Sequence, residues 1–165
     1  MVWCAFASLG PVSGIVGTTY SATNAPATPC LALSFGSDNV QPSPTNDVGS
    51  SRERTWVGAA VSTSNRVCSA LKSNNGQAAG VCNSAVVTDA FYERINGSSA
   101  ALQLALDLTS FDANGLTVDV VRTGGFGANM PIFMMGGDGV TATIVAFDEP
   151  GGTGTQDITS SGFGT

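Results

Sequence analysis

The segment LQLALDLT, residues 102–109, decides the fold class of this chain. Leucine occupies every second position, and successive side chains of a β-strand point to opposite faces of its sheet. Leu102, Leu104, Leu106 and Leu108 would share one face of a strand, whereas on a helix they would spread around the axis. Leucine and alanine are good helix formers, but the strict alternation favours a half-buried strand with these leucines facing the core.

A second alternating segment, LTVDVVR at residues 116–122, follows closely after that strand. Between them lies FDANG at residues 111–115, in which Asn114-Gly115 is a pair that readily supplies the positive φ angles of a tight turn. The sequence therefore predicts an antiparallel hairpin over residues 102–122.

Short apolar or alternating segments recur along the rest of the chain, at residues 2–9, 15–20, 31–35, 55–62, 66–71, 85–88, 132–135, 141–147 and 156–159. The stretches between them are rich in Gly, Pro, Asn, Asp and Ser, and the longest is 37–51. This pattern predicts an all-β fold, a β-sandwich or jelly roll of antiparallel strands with long loops. A short helix over 88–95, capped by Thr88 or Asp89, is the alternative for that segment.

The composition narrows the function classes. The 165 residues fit a single domain, 1–165, of which only 11% are charged, with a net charge of −6 and no histidine. A catalytic Ser-His-Asp or Cys-His set and a His-ligated zinc are therefore excluded. A single lysine and five arginines do not form the basic face that nucleic acid requires. No apolar run approaches the length of a membrane-spanning helix.

The four cysteines, Cys4, Cys30, Cys68 and Cys82, allow three pairings. Small or apolar neighbours favour four buried, reduced thiols. A Cys68–Cys82 disulfide is the best oxidised candidate. The sequence has no paired C-x-x-C motif, so its cysteine spacing does not predict a zinc site.

Several short motifs allow a chemical and a structural interpretation. Gly136-Gly137-Asp138-Gly139 suits a calcium turn, but one carboxylate favours a plain turn. Asp148 and Glu149 are adjacent, so on a strand they face opposite sides and cannot form an acid–base pair. The glycine-rich segments 124–127 and 151–154 lack the helix that a phosphate loop needs. We assign no catalytic, cofactor-binding or metal residue and predict no enzyme.

Three further features bear on surfaces. The charged triplet at residues 52–54 is interpreted as a solvated strand entry, or alternatively as an inter-subunit ion-pair patch. The sequence at 96–98 matches a glycosylation acceptor and is also a good turn. Four aromatic residues could stack on sugars: Trp3, Tyr20, Trp56 and Tyr92. Trp3 and Trp56 lie in apolar strand-like segments, which favours core packing for these two.

Three segments carry a resemblance to a known group of proteins. They are SFDANGLTV at 110–118, GGD at 136–138 and GTQDITSSGF at 154–163. Their order resembles uncharacterised β-rich modules, often tandem, of marine bacteriophage and metagenomic proteins, which look like virion or lectin-like jelly rolls. This sequence departs from them at Leu116, where an aromatic residue is usual, and in the long loop 37–51. The resemblance implies no catalytic residue.

Together these observations predict a structural virion protein, a capsid decoration or fibre subunit of a tailed phage, located in the extracellular particle. Its partners would be copies of itself or other virion proteins, without cofactors, nucleic acid or membrane. The alternatives are a glycan-binding module of an adhesin, secreted or at the cell surface, and an extracellular filament subunit. Both chain ends look cut from a longer polypeptide or repeat. The uncharged strand at 2–9 must be paired centrally or covered by a partner.

Overall fold

The computed structural model describes residues 1–10, 12, 14–39, 52–74, 82–95, 102–122, 130–145, 152–153 and 158. Within these residues the chain forms ten β-strands and no helix. The strands are β1 (Val2–Leu9), β2 (Thr19–Thr23), β3 (Leu31–Asn39), β4 (Arg52–Ala60), β5 (Arg66–Asn74), β6 (Cys82–Val87), β7 (Tyr92–Ile95), β8 (Leu102–Asp112), β9 (Gly115–Arg122) and β10 (Met130–Gly137).

The strands form two antiparallel sheets. The large sheet has six strands in the order β1-β10-β3-β4-β5-β6, and the small sheet has four in the order β2-β9-β8-β7. Each sheet directs one face toward a shared core, to which both contribute buried side chains such as Met134 from β10 and Leu116 from β9. The predicted all-β sandwich is confirmed.

The hairpin of β8 and β9 forms as predicted. Leu104, Leu106 and Leu108 are buried in the core, while Leu102 is half-buried. The turn geometry differs from the expectation, because neither Asn114 nor the glycine after it has a positive φ. Glycine is needed at 115 for another reason: an added Cβ would lie 1.9 Å from the carbonyl oxygen of Ala22.

The strand bounds differ from the sequence expectation at several places. The segment 88–95 is no helix; its second half is β7, because Tyr92 pairs with Leu106 of β8. The segment predicted at 15–20 forms a strand only from Thr19 onward, and residues 141–145 form none. The segment 156–159 and most of the loop 37–51 lie outside the described residues.

The strand register rules out the proposed Cys68–Cys82 disulfide. Cys68 pairs with Val87, whereas Cys82 pairs with Ser73, five residues further along β5. Five residues of strand span about 17 Å, far beyond the roughly 7 Å that a disulfide allows between Cα atoms. Cys68 is a buried free thiol, but Cys4 is exposed, so the expectation of four buried thiols is wrong.

The described part of the chain contains no helix with the length and apolarity needed to cross a membrane.

Candidate assembly surface

Strand β3 places its large apolar side chains on the side of the large sheet that faces away from the core. Leu31, Leu33 and Phe35 lie on that outer side, and Phe35 is 41% exposed. The alternate residues, Ala32 and Ser34, are fully buried against the core. An antiparallel sheet with a solvated outer face normally shows the reverse, with apolar residues inside and polar residues outside.

Close packing explains why the inner side of the large sheet carries small residues at positions 34 and 58. A Cβ added at Gly58 would lie 1.9 Å from the carbonyl oxygen of Phe91, the residue before β7. Ser34 donates its hydroxyl to the same carbonyl at 3.0 Å. The large sheet therefore approaches the chain before β7 so closely at Ser34 and Gly58 that a bulky inward side chain has no space at these two positions.

The outward-facing residues form continuous rows across the strands. One row runs over five strands through residues in direct register: Phe6, Phe133, Leu33, Ala59 and Val67. At its start the rings of Phe6 and Phe133 meet edge to face, with centroids 5.2 Å apart. The rows make one surface rather than isolated exposed side chains.

We call this surface the outer face of the large sheet. Its described side chains are Val2, Cys4, Phe6, Ser8, Leu31, Leu33, Phe35, Ser37, Thr55, Val57, Ala59, Val67, Ser69, Leu71, Ser73, Ser84, Val86, Pro131, Phe133 and Met135. None of these carries a charge. Val57 is 61% and Val86 69% exposed. Contiguous exposed apolar patches of this kind usually mark interaction sites.

The small sheet has an outer side of opposite character. Thr19 donates its hydroxyl to Asp119 at 2.8 Å. Asp112 accepts hydrogen bonds from Ser110 at 2.7 Å and from Thr117 at 2.6 Å. The Thr19–Asp119 bond is exposed and the two bonds of Asp112 are partly buried, so the sandwich has one apolar outer face and one polar, acidic outer face.

Among the strands that the structure describes, β1 lies at an edge of the large sheet and pairs with β10 alone. The carbonyl of Met135 accepts from Cys30 at 2.9 Å and so points away from β1. Cys4 is the β1 partner of Met135, so the backbone N–H and C=O of Cys4 point away from β10, and those of Phe6, two residues further along, do the same. Asn24 donates its amide to the carbonyl of Phe6 at 2.8 Å. Of the two arrangements expected for this strand, central pairing is not found among the described strands. Asn24 covers the middle of the outer edge of β1.

The four aromatic residues considered for sugar stacking lie on core-facing sides of the sheets. Trp56 and Tyr92 are buried, with their rings edge to face at 5.1 Å. Trp3 and Tyr20 are half-buried and pack against the core. The core interpretation of Trp3 and Trp56 is confirmed, and none of the four forms a sugar-stacking platform on the outer faces.

Buried charges gather at the end of the core near β7. Arg54 and Lys72 are cross-strand neighbours and are both buried, which contradicts a solvated strand entry for Arg54. Arg122 of β9 hydrogen bonds to Glu93, whose side chain is fully buried, and to the partly exposed Asp89 at 2.8 Å. Arg122 hydrogen bonds to both carboxylates, and the Glu93 carboxylate is fully buried, so this part of the cluster is built as ion pairing rather than as an accessible acid–base site.

The Cys68 thiol lies beside that charge cluster. Burial raises the pKa of Cys68 from 9.0 to about 12. The negative charge of Glu93 adds to this rise, and a hydrogen bond from the Glu93 backbone opposes it. The thiolate is the nucleophilic form of cysteine, so this thiol is unreactive at neutral pH. No three acidic or cysteine side chains in the described residues converge on a metal position.

The remaining short motifs are resolved only in part. The segment 136–139 ends β10 in a turn, in which Val140 donates to the carbonyl of Gly137 at 3.2 Å. The segments 96–98, 124–127 and 148–149, and all but Gly152 and Thr153 of the segment 151–154, lie outside the described residues.

Sequence reasoning missed the outer face because alternation separates the two sides of a strand without saying which is inside. The signal was present in residues 31–35, where large and small uncharged residues alternate and neither side carries a charge. A strand with no charged side is typical of burial on both faces.

No family model, curated protein or solved structure matches this chain. Its function is therefore argued from its surfaces, since a fold class alone does not imply a function.

Proposed function

We propose that this protein is a non-catalytic structural subunit of an extracellular particle, a virion of a tailed phage, in which it acts as a decoration or fibre component. The observation that carries the proposal is the apolar outer face of the large sheet, whose described side chains are uncharged, with Leu31, Leu33 and Phe35 directed away from the core. A contiguous exposed apolar face of this extent usually marks a site of contact with another protein.

The size of the outer face supports a protein partner. Six strands about 4.8 Å apart, each about eight residues of 3.4 Å long, span roughly 24 by 27 Å, or roughly 650 Å². A standard protein–protein interface buries about 800 Å² on each partner. The outer face is therefore of the right size for one interface with a neighbouring subunit.

The contrast between the two outer faces gives the subunit an orientation. Asp112 and Asp119 on the small sheet suit contact with solvent, whereas the large sheet suits contact with protein. A layer of subunits on a particle needs this two-sidedness. The virion setting is supported by the resemblance of segments 110–118, 136–138 and 154–163 to phage modules, and by the net charge of −6, which disfavours contact with a packaged genome.

The buried groups support a non-catalytic role. Glu93 is enclosed with Arg122, and Cys68 is held protonated by burial. Neither offers a reactive group to a substrate at the surface.

Mass measurement of the purified chain tests the assembly part of this proposal. Light scattering over a range of concentrations should give masses of at least two chains, each chain contributing 16.6 kDa. A chain that stays monomeric and soluble at millimolar concentration would overturn it.

The virion setting has its own test. Mass spectrometry of virus-sized particles, purified from a culture that expresses this sequence, should find its peptides in the particle fraction. Peptides recovered only from the soluble fraction would contradict a virion protein.

The free edge of β1 favours a second candidate, a filament subunit that grows by strand addition. Cys4 directs its N–H outward, so Cys4→Pro would remove a bond to an added strand while leaving the bonds to β10 in place. If the mass of the assembly falls with Cys4→Pro, strand addition at β1 is the contact. An unchanged mass would exclude it.

A further inference from the structure

We propose that the occupant of the outer face of the large sheet is the same face of a second copy of this chain, packed sheet on sheet about a two-fold axis. This inference rests on the proposed assembly role and names the partner and the geometry of that contact.

Charge is the first argument for a second copy. Each chain carries a net charge of −6, so two copies repel one another unless their contact avoids charged groups. The described side chains of the outer face are all uncharged, and the one charged residue that the register places in these rows is Glu53, near the start of β4. The acidic groups Asp112 and Asp119 lie on the opposite side of the sandwich. Face-to-face packing therefore places these carboxylates as far apart as the fold allows.

Self-complementarity is the second argument. In a two-fold interface the same patch serves both partners, so it must tolerate contact with itself. Rows of apolar residues interspersed with serine meet this condition, and the row Phe35, Val57, Ser69 and Val86 lies in register across four strands. A charged partner of a different kind would require charged groups on this face.

Area and geometry give the third argument. Two faces of roughly 650 Å² each bury roughly 1,300 Å², within the range of specific protein–protein contacts. Twisted sheets pack about 10 Å apart with their strands within about 30° of each other. The result is a four-layer dimer in which both small sheets face solvent.

Val57 is the best position for a test. It lies on β4, one of the two central strands of the large sheet, and its neighbours in register are Phe35 and Ser69. In a two-fold contact through the centre of this face, position 57 lies close to its own counterpart. Val121 is the matched control, because it is 41% exposed on the outer side of the small sheet.

The experiment uses sedimentation equilibrium on four variants of the full chain: Val57→Lys, Val57→Glu, Val121→Lys and Val121→Glu. An unpaired charge in an apolar contact should raise the dimer dissociation constant at least about a hundredfold for either variant at position 57. The variants at position 121 should associate as the unaltered chain does. Circular dichroism confirms that each variant is folded.

Mixing the variants decides the geometry. Equal amounts of Val57→Lys and Val57→Glu should restore dimers, since opposite charges then face each other across the axis. If both variants dissociate and the mixture does not recover, the faces do not meet at their centres and the two-fold packing is wrong.

The remaining outcomes separate this inference from the proposed function. An unaltered chain that is monomeric overturns both. A chain whose association persists in both variants at position 57 overturns the face-to-face contact and leaves the assembly role standing.

Discussion

The indole of Trp56 lies against Gly36, its direct cross-strand neighbour, so closely that a Cβ at position 36 would lie 2.6 Å from Cζ2 of the indole ring. The same relationship recurs between Trp3 and Gly136, again at 2.6 Å and again in register. Glycine gives each indole space on the inner side of the large sheet. These two pairs fill parts of the core from the large sheet, beside the buried side chains of Ile132 and Met134.

Replacing Gly36, the glycine against Trp56, should therefore destabilise the protein. Trp56 is buried and packed edge to face on Tyr92, so its ring cannot move away from a new methyl group. Gly36→Ala should lower the free energy of unfolding by about 1–3 kcal/mol, as overpacking does elsewhere. Urea unfolding measures this, with Gly10→Ala as control because a Cβ there meets no atom within 4 Å. Equal stability of the two variants would contradict the packing argument.

The core leucines of β8 allow a second stability test. Leu106 is fully buried between the sheets, and Leu106→Ala should reduce the free energy of unfolding by about 2–5 kcal/mol through lost burial and a cavity. Val121→Ala, at a partly exposed position, should change it by less than about 1 kcal/mol. Denaturant midpoints of both variants test the placement of β8, and similar values would place Leu106 outside the core.

The sequence predicted β8 and β9 well because Leu104, Leu106 and Leu108 alternate with polar or small residues, so period and burial agree. It predicted β1 from the nearly continuous apolar run at residues 2–9. It did not predict β7, since Glu93 and Arg94 are charged and charge usually indicates solvent. Glu93 is buried and hydrogen bonded by Arg122, which is distant in sequence, and such pairing is a property of the tertiary structure.

The candidate site was less predictable than the fold. Alternation in residues 31–35 indicates a strand but leaves its inner side undecided. The inner side is decided by the close approach of Phe91 to Gly58 and Ser34. That contact joins segments more than thirty positions apart, so no local pattern could predict it.

The buried ion pair of β9 and β7 provides a third prediction. Arg122→Met would remove the hydrogen-bonded partner of the fully buried Glu93 carboxylate, and loss of one partner of a buried pair costs about 3–5 kcal/mol. Glu93→Gln in that background should recover part of the loss, because the buried side chain that has lost Arg122 is then neutral.

Arg66→Met is the matched control for that variant. Arg66 pairs with Asp107, whose side chain is 25% exposed and stays partly hydrated without its partner. Its cost should be smaller, about 1 kcal/mol or less. Chemical denaturation at neutral pH measures all three variants, and an Arg122→Met cost no larger than that of Arg66→Met would mean that Glu93 is not stabilised mainly by Arg122.

The Cys68 thiol predicts a loss of stability at alkaline pH. Burial raises its pKa to about 12 in the folded chain, while the unfolded chain titrates near the ordinary value of 9.0. Between these values the unfolded state loses the thiol proton and the folded state keeps it, so the folded state binds more protons and stability falls as pH rises. The contribution is fully present below about pH 9, and within the window it falls by about 1.4 kcal/mol per pH unit. Urea unfolding from pH 7 to 11 should show this decline, and Cys68→Ala should remove it. If both proteins lose stability equally over this range, other groups cause the decline and the thiol is not held protonated by burial.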